Sequence, residues 1–166
     1  TYLVPFLTDI AHVAPPVVSV YLLAYGVATA VGSYGGGRFA DSNARRTLVI
    51  GTIGVTASLT TMFVFGAHPA VAAITVLGMG LFGMGMAPSM QHRVAELAGA
   101  GGPLAASLPA SAVNAGIALG SLTGGLAIDA AGTSAAVLAG AVVGVIAILV
   151  ALATSALKSP SRKDAA

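Results

Sequence analysis

Five stretches of this chain contain no Asp, Glu, Lys or Arg: residues 17–37, 47–67, 69–91, 99–128 and 130–157. A helix rises 1.5 Å per residue, so about 20 apolar residues cross the roughly 30 Å hydrocarbon core of a bilayer. Each stretch is long enough. A water-soluble fold is excluded by the same feature: only 7% of the residues are charged, where a soluble domain averages about 25%. The fold class that follows is an all-α, polytopic membrane protein. Its spans are expected near residues 16–38, 47–67, 69–91, 103–128 and 133–157, followed by a tail over 158–166. The runs are continuous rather than alternating every second residue, which argues against barrel strands.

Helix punctuation agrees with these spans. Pro16, Pro69 and Pro103 stand at or near run starts, where a missing N–H costs least, and Pro160 follows the last run. Pro88 and Pro109 fall inside runs and predict kinks. Residues 1–8 are apolar but too short to cross, so residues 1–15 read as the end of a truncated helix and an outer loop. The chain thus reads as part of something longer. A basic start and an A-x-A-like site are both lacking, so no cleavable signal peptide is expected. With no cysteine, disulfides and thiolate metal sites are excluded.

Threading five helices alternately across a bilayer puts Arg38, Arg45, Arg46, Arg93, Lys158, Arg162 and Lys163 on one side. The opposite loops, over 9–16, at His68 and over 129–132, contain no Lys or Arg. By the positive-inside rule the basic side, with the C-terminus, is cytoplasmic. The same topology accounts for the net charge of +2 and the pI near 9.3, so no nucleic-acid partner is expected.

The first basic loop reads Gly37-Arg38-Phe39-Ala40-Asp41-Ser42-Asn43-Ala44-Arg45-Arg46. On helical turns Asp41 could pair with Arg45 four residues on, or with Arg38 three residues back. The plainer reading is a solvated basic loop that anchors topology. Residues 37–46 resemble the signature loop of the major facilitator superfamily, G-x-x-x-D-(R/K)-x-G-(R/K)-(R/K), at Gly37, Asp41, Arg45 and Arg46. Ser42 and Ala44 depart from the pattern, as suits the weaker copy that joins the family's eighth and ninth helices. The resemblance implies a gate in which the aspartate pairs with basic groups on adjacent helix ends and latches the cytoplasmic side.

Gly116, Gly120 and Gly124 are spaced four apart, and Gly125 follows. They form a small-residue stripe of the kind that lets membrane helices pack backbone to backbone. On that basis Gly120→Leu is expected to disrupt packing. The segment from Asn114 to Gly125 also resembles the G-x-x-x-G-P-x-x-G-G signature of the family's drug-antiporter branches, with Ser121 in the proline position. The whole chain then resembles the end of the seventh helix through the twelfth, the C-terminal six-helix bundle with its first helix truncated. It is most similar to bacterial drug and sugar efflux permeases, a likeness also carried by residues 25–28, 36–38 and 114–116.

The resemblance implies transport of a small molecule by alternating access, as proton-coupled efflux in a bacterial inner membrane. It also implies partners: membrane lipid, a small-molecule substrate, protons, and the missing N-terminal half of the same transporter. An importer or facilitator for a sugar, nucleoside or amino acid remains an alternative, as does a small non-transporting scaffold protein. The polar groups best placed to line a cavity are Tyr21, Tyr25, Gln91 and Asn114, with Ser111; each could equally make a helix–helix hydrogen bond. No ionisable residue sits at the centre of a complete span, which puts proton coupling in the missing half. Asp129 reads as a solvated cap.

Residues 78–83 fit G-x-G-x-x-G. A dinucleotide site would need that turn after a strand, so these glycines read as close packing. Met79, Met84, Met86 and Met90 could line an adaptable apolar path or pack against core and lipid. His12, His68 and His92 have no partners at ligand spacing, and His92, Arg93 and Glu96 read as an interfacial cluster. No cofactor, metal site or enzyme chemistry is expected.

Overall fold

The computed structural model describes residues 2–98 and 105–157, and every regular element among them is helical. The chain begins with a single turn, α1 (Leu3–Pro5), and a π-helical segment, Phe6–Ile10. A turn through His12, whose φ is +51°, leads into α2 (Pro15–Phe65). Then come α3 (Pro69–Gly85), α4 (Ala87–Ala98), α5 (Leu108–Ala131) and α6 (Thr133–Ser155).

At 51 residues, α2 would run about 76 Å if straight, more than twice the hydrocarbon thickness. It does not run straight. Asn43 has φ −162° and ψ 82°, and the chain reverses there into two arms, residues 15–42 and 44–65. Packing against α3 shows the reversal. In the first arm Tyr25 lies by Gly80 and Gly36 by Gly85, so this arm runs the same way as α3. In the second arm Gly51 lies by Met86 and Ser58 by Gly78, so that arm runs the opposite way. Thus α2 holds two of the expected spans, and the expected loop over 37–46 is helical except at Asn43. The second arm also packs against α6, with Thr56 by Gly144 and Leu59 by Gly140.

Prolines do their expected work at the starts of α2 and α3, and the Pro69–Ala98 stretch breaks at Met86, just before Pro88. Pro109 corrects the expectation. It sits in the first turn of α5, where its missing N–H has no intrahelical acceptor to lose, so it makes no kink. Pro103, Pro160 and the basic residues of the tail lie outside the described residues. Between α5 and α6 the connection is a single residue, Gly132, at φ 81° and ψ 178°. That backbone region is open to essentially glycine alone.

The buried cluster lies at the end of the bundle away from the arginines. Phe6, Leu7, Ala11 and Val13 of the N-terminal segment insert among Val18, Met62, Ala72 and Val76. A segment too short to cross a bilayer therefore supplies half of that cluster.

Candidate functional site

The basic groups gather at one end of the bundle. Gly37 faces Pro88 across the top of α4. Arg45 donates from Nη2 to Ser155 Oγ at 3.2 Å, and Arg93 donates from Nη2 to the Leu157 carbonyl at 2.5 Å. Both guanidinium groups thereby sit at the C-terminal end of α6, where unpaired carbonyls and the helix dipole favour positive charge. Arg93 also pairs with Glu96 at 3.3 Å, and His92 lies 3.7 Å from the same carboxylate. His92, Arg93 and Glu96 thus form a cluster of charged and polar groups.

Within the signature-like loop, the expected intrahelical pairs do not form. Among the described residues the ion pairs are those at Glu96, and Asp41 is exposed. The physical reason is Asn43. Its non-helical backbone breaks the turn that would bring Asp41 and Arg45 together. Its side chain then starts the next helix: Asn43 Oδ1 accepts from the Arg46 backbone N–H at 2.9 Å. This is an N-cap, three residues ahead of the donor, and Asn is among the best residues for it. The capping signal was present in the sequence, in an Asn four residues ahead of the uncharged run that begins at Thr47. Replacing Asn43 by Ala should cost about 1 kcal/mol, read as a lower melting temperature of the full-length protein in detergent. Asn43→Asp should retain the cap, and equal melting of the Ala variant and the parent would rule it out.

The glycine stripe divides. Gly124 and Gly125 pack against the Tyr2 ring; a Cβ on Gly125 would lie 3.1 Å from the Tyr2 hydroxyl. The space they leave lets Tyr2 reach α5, where its hydroxyl donates to the Ser121 carbonyl at 2.5 Å. Sequence reasoning missed Tyr2. At Gly116 and Gly120, by contrast, an added Cβ meets nothing within 4 Å. Of the four glycines expected in helix packing, these two have no packing partner among the described residues, because α5 turns them away from its neighbours. Gly120→Leu meets no clash among the described residues.

The proposed cavity residues do not converge. Tyr21 and Tyr25 are half-buried against the apolar core; Tyr21 donates to the Pro69 carbonyl at 2.9 Å, and the Tyr25 ring lies 3.2 Å from where a Gly80 Cβ would stand. Those contacts are helix–helix packing, the alternative the sequence left open for both tyrosines. Gln91 is exposed at the basic end, while Asn114 is exposed on α5, as are all residues from 110 to 120. Of the residues in the G-x-G-x-x-G pattern, Gly78 faces Ser58 and Gly80 faces the first arm, so they serve helix packing. Ser89, which the sequence did not single out, is fully buried with its hydroxyl unpartnered among the described residues.

Long apolar helices whose outward faces remain exposed define a polytopic integral membrane protein. The Major Facilitator Superfamily model matches residues 1–166, and the chain belongs to that superfamily of transporters. It is 35% identical over 136 residues to the uncharacterized MFS-type transporter YtbD of Bacillus subtilis, covering 80% of this chain and 34% of that protein. It is 32% identical over 130 residues to the inner membrane transport protein YdhP of Escherichia coli K12, covering 78% and 33%. A probable sugar efflux transporter of Helicobacter pylori is 28% identical over 130 residues, covering 77% and 33%. The chain therefore spans about a third of the length of these relatives. No solved structure matches it.

Proposed function

We propose that this chain is the C-terminal part of a bacterial inner-membrane transporter that exports a small molecule, driven by protons, through alternating access. The observation that carries the reading is the open stretch of α5. Asn114, Gly116 and Gly120 stand exposed on a helix whose only buried residues are Pro109 and Gly124. A polar amide facing hydrocarbon is costly, so this open stretch of α5 is fitted to a polar passage or to helices supplied by the rest of a longer protein. The relatives' length and the name of the Helicobacter protein support the same reading.

In this scheme two helical halves rock about a central site, and Gly116 and Gly120 let α5 pack or slide closely against the missing half. The arginine-rich end is cytoplasmic, and Gly37, Asp41, Arg45 and Arg46 form its latch. Asp41 finds its basic partners on helices beyond this chain, and the substrate and the proton-carrying group engage residues there too.

Transport by the full-length protein in inside-out vesicles tests the proposal. Cargo should accumulate when the lumen is acid, and the accumulation should collapse on adding a protonophore. Equilibration indifferent to the pH gradient would replace proton-driven efflux with the facilitator reading.

A further inference from the structure

A groove of about 560 Å³ opens between the two arms of α2 and α3. Its floor is glycine: Gly32, Gly36 and Gly51 bring the helices close and leave an apolar channel above them. Val31, Phe39 and Ile50 form its walls, each more than half exposed. Its rim at the basic end carries Arg46. The guanidinium has no carboxylate within 4.0 Å among the described residues, and Asp41, though near in sequence, does not line the groove. At the far end a second apolar cavity of about 510 Å³ continues along the first arm and shares Val31 and Leu81 with the first.

We propose that this groove is a binding site for one anionic phospholipid, with an acyl chain along the apolar channel and the phosphate at Arg46. Depth and charge select this occupant. From Val31 to Asn43 the first arm rises about 18 Å, close to the roughly 15 Å of one hydrocarbon leaflet. The channel thus ends where the uncharged runs end and the arginines begin. A molecule that is apolar for one leaflet and anionic at the boundary matches both parts. Basic pockets between membrane helices at this depth recognise acidic head groups. The site lies among helices of this chain alone, so it does not depend on the direction of transport or on its coupling.

The test is lipid retention by the purified full-length protein, read by native mass spectrometry after exposure to phosphatidylglycerol or phosphatidylcholine of equal chain length. Phosphatidylglycerol should be retained in preference, one molecule per protein. Arg46→Gln should weaken that retention about fivefold, the worth of one arginine at an anionic surface, and Arg46→Lys should largely restore it. Arg45→Gln removes the same charge on the side facing α6 and should leave retention unchanged. Val31→Trp, which fills the channel, should reduce retention with Arg46 intact. Melting curves identify any variant that fails to fold, and the lysine variant then carries the comparison. Equal retention of the two lipids, or equal loss from Arg46→Gln and Arg45→Gln, would overturn the site. Displacement of the lipid by equimolar glycerol 3-phosphate would show a small-anion site instead. Cross-linking of Ile50→Cys to another part of the polypeptide would show a groove covered by protein.

Discussion

Replacing Gly36 by Leu is expected to prevent the bundle from assembling, seen as loss of the monodisperse peak of the full-length protein in detergent. The first arm of α2 crosses α3 so closely that a Cβ on Gly36 would overlap the Gly85 carbonyl oxygen and lie 2.6 Å from the Gly85 Cα. The opposing atoms are backbone, so no rotamer change relieves the overlap. Overpacking that side chains can absorb costs about 1–3 kcal/mol, and here the helices themselves must separate. Leucine is a better helix former than glycine by at most about 1 kcal/mol, so the clash wins. Gly35→Ala is the control: its Cβ meets nothing within 4 Å, and it should melt like the parent or slightly above it. A Gly36→Leu variant with unchanged melting would refute the close crossing.

For Asp41→Asn the expected loss is in transport, about tenfold, with insertion and melting temperature preserved. Asp41 is exposed and sits two residues before the break at Asn43, at the C-terminal end of the first arm. A negative charge there is disfavoured by the helix dipole, and no ion pair within the described residues offsets it. Asparagine should therefore be neutral or mildly stabilising for the fold. A carboxylate placed where local electrostatics oppose it is better suited to a latch than to a structural bond. A hydrogen bond to a charged group is worth about 1.5–3 kcal/mol; losing one from the closed state shifts a two-state equilibrium by about tenfold or more. Full transport by Asp41→Asn would remove the latch role, while lost insertion would make the residue structural.

How much of this was legible in advance differs by element. Long uncharged runs announce spanning helices because hydrocarbon cannot solvate a charge or an unpaired backbone group. Pro15 or Pro16 and Pro69 mark helix starts for a local reason that holds in any fold. Asn43 was legible in principle too, since a cap is local chemistry. The reversal it permits was read as a ten-residue loop because the charges around it look solvated. Tyr21, Tyr25 and the glycines of α5 were not legible. Whether a glycine packs depends on what lies opposite, and Gly124 meets Tyr2 from 122 positions away.

By itself, then, the amino-acid sequence determined the membrane setting, the helical class, the family, and the gathering of Arg38, Arg45, Arg46 and Arg93 at the same ends of their spans. Only the tertiary structure decided that the N-terminal segment fills the core, that Arg45 and Arg93 hold the end of α6, and which glycines pack. The reason is the solvent. In water one apolar face per helix points inward and periodicity reveals it. In lipid the outward face is apolar as well, so composition marks the spans while only the neighbours of each helix distinguish its inside from its outside.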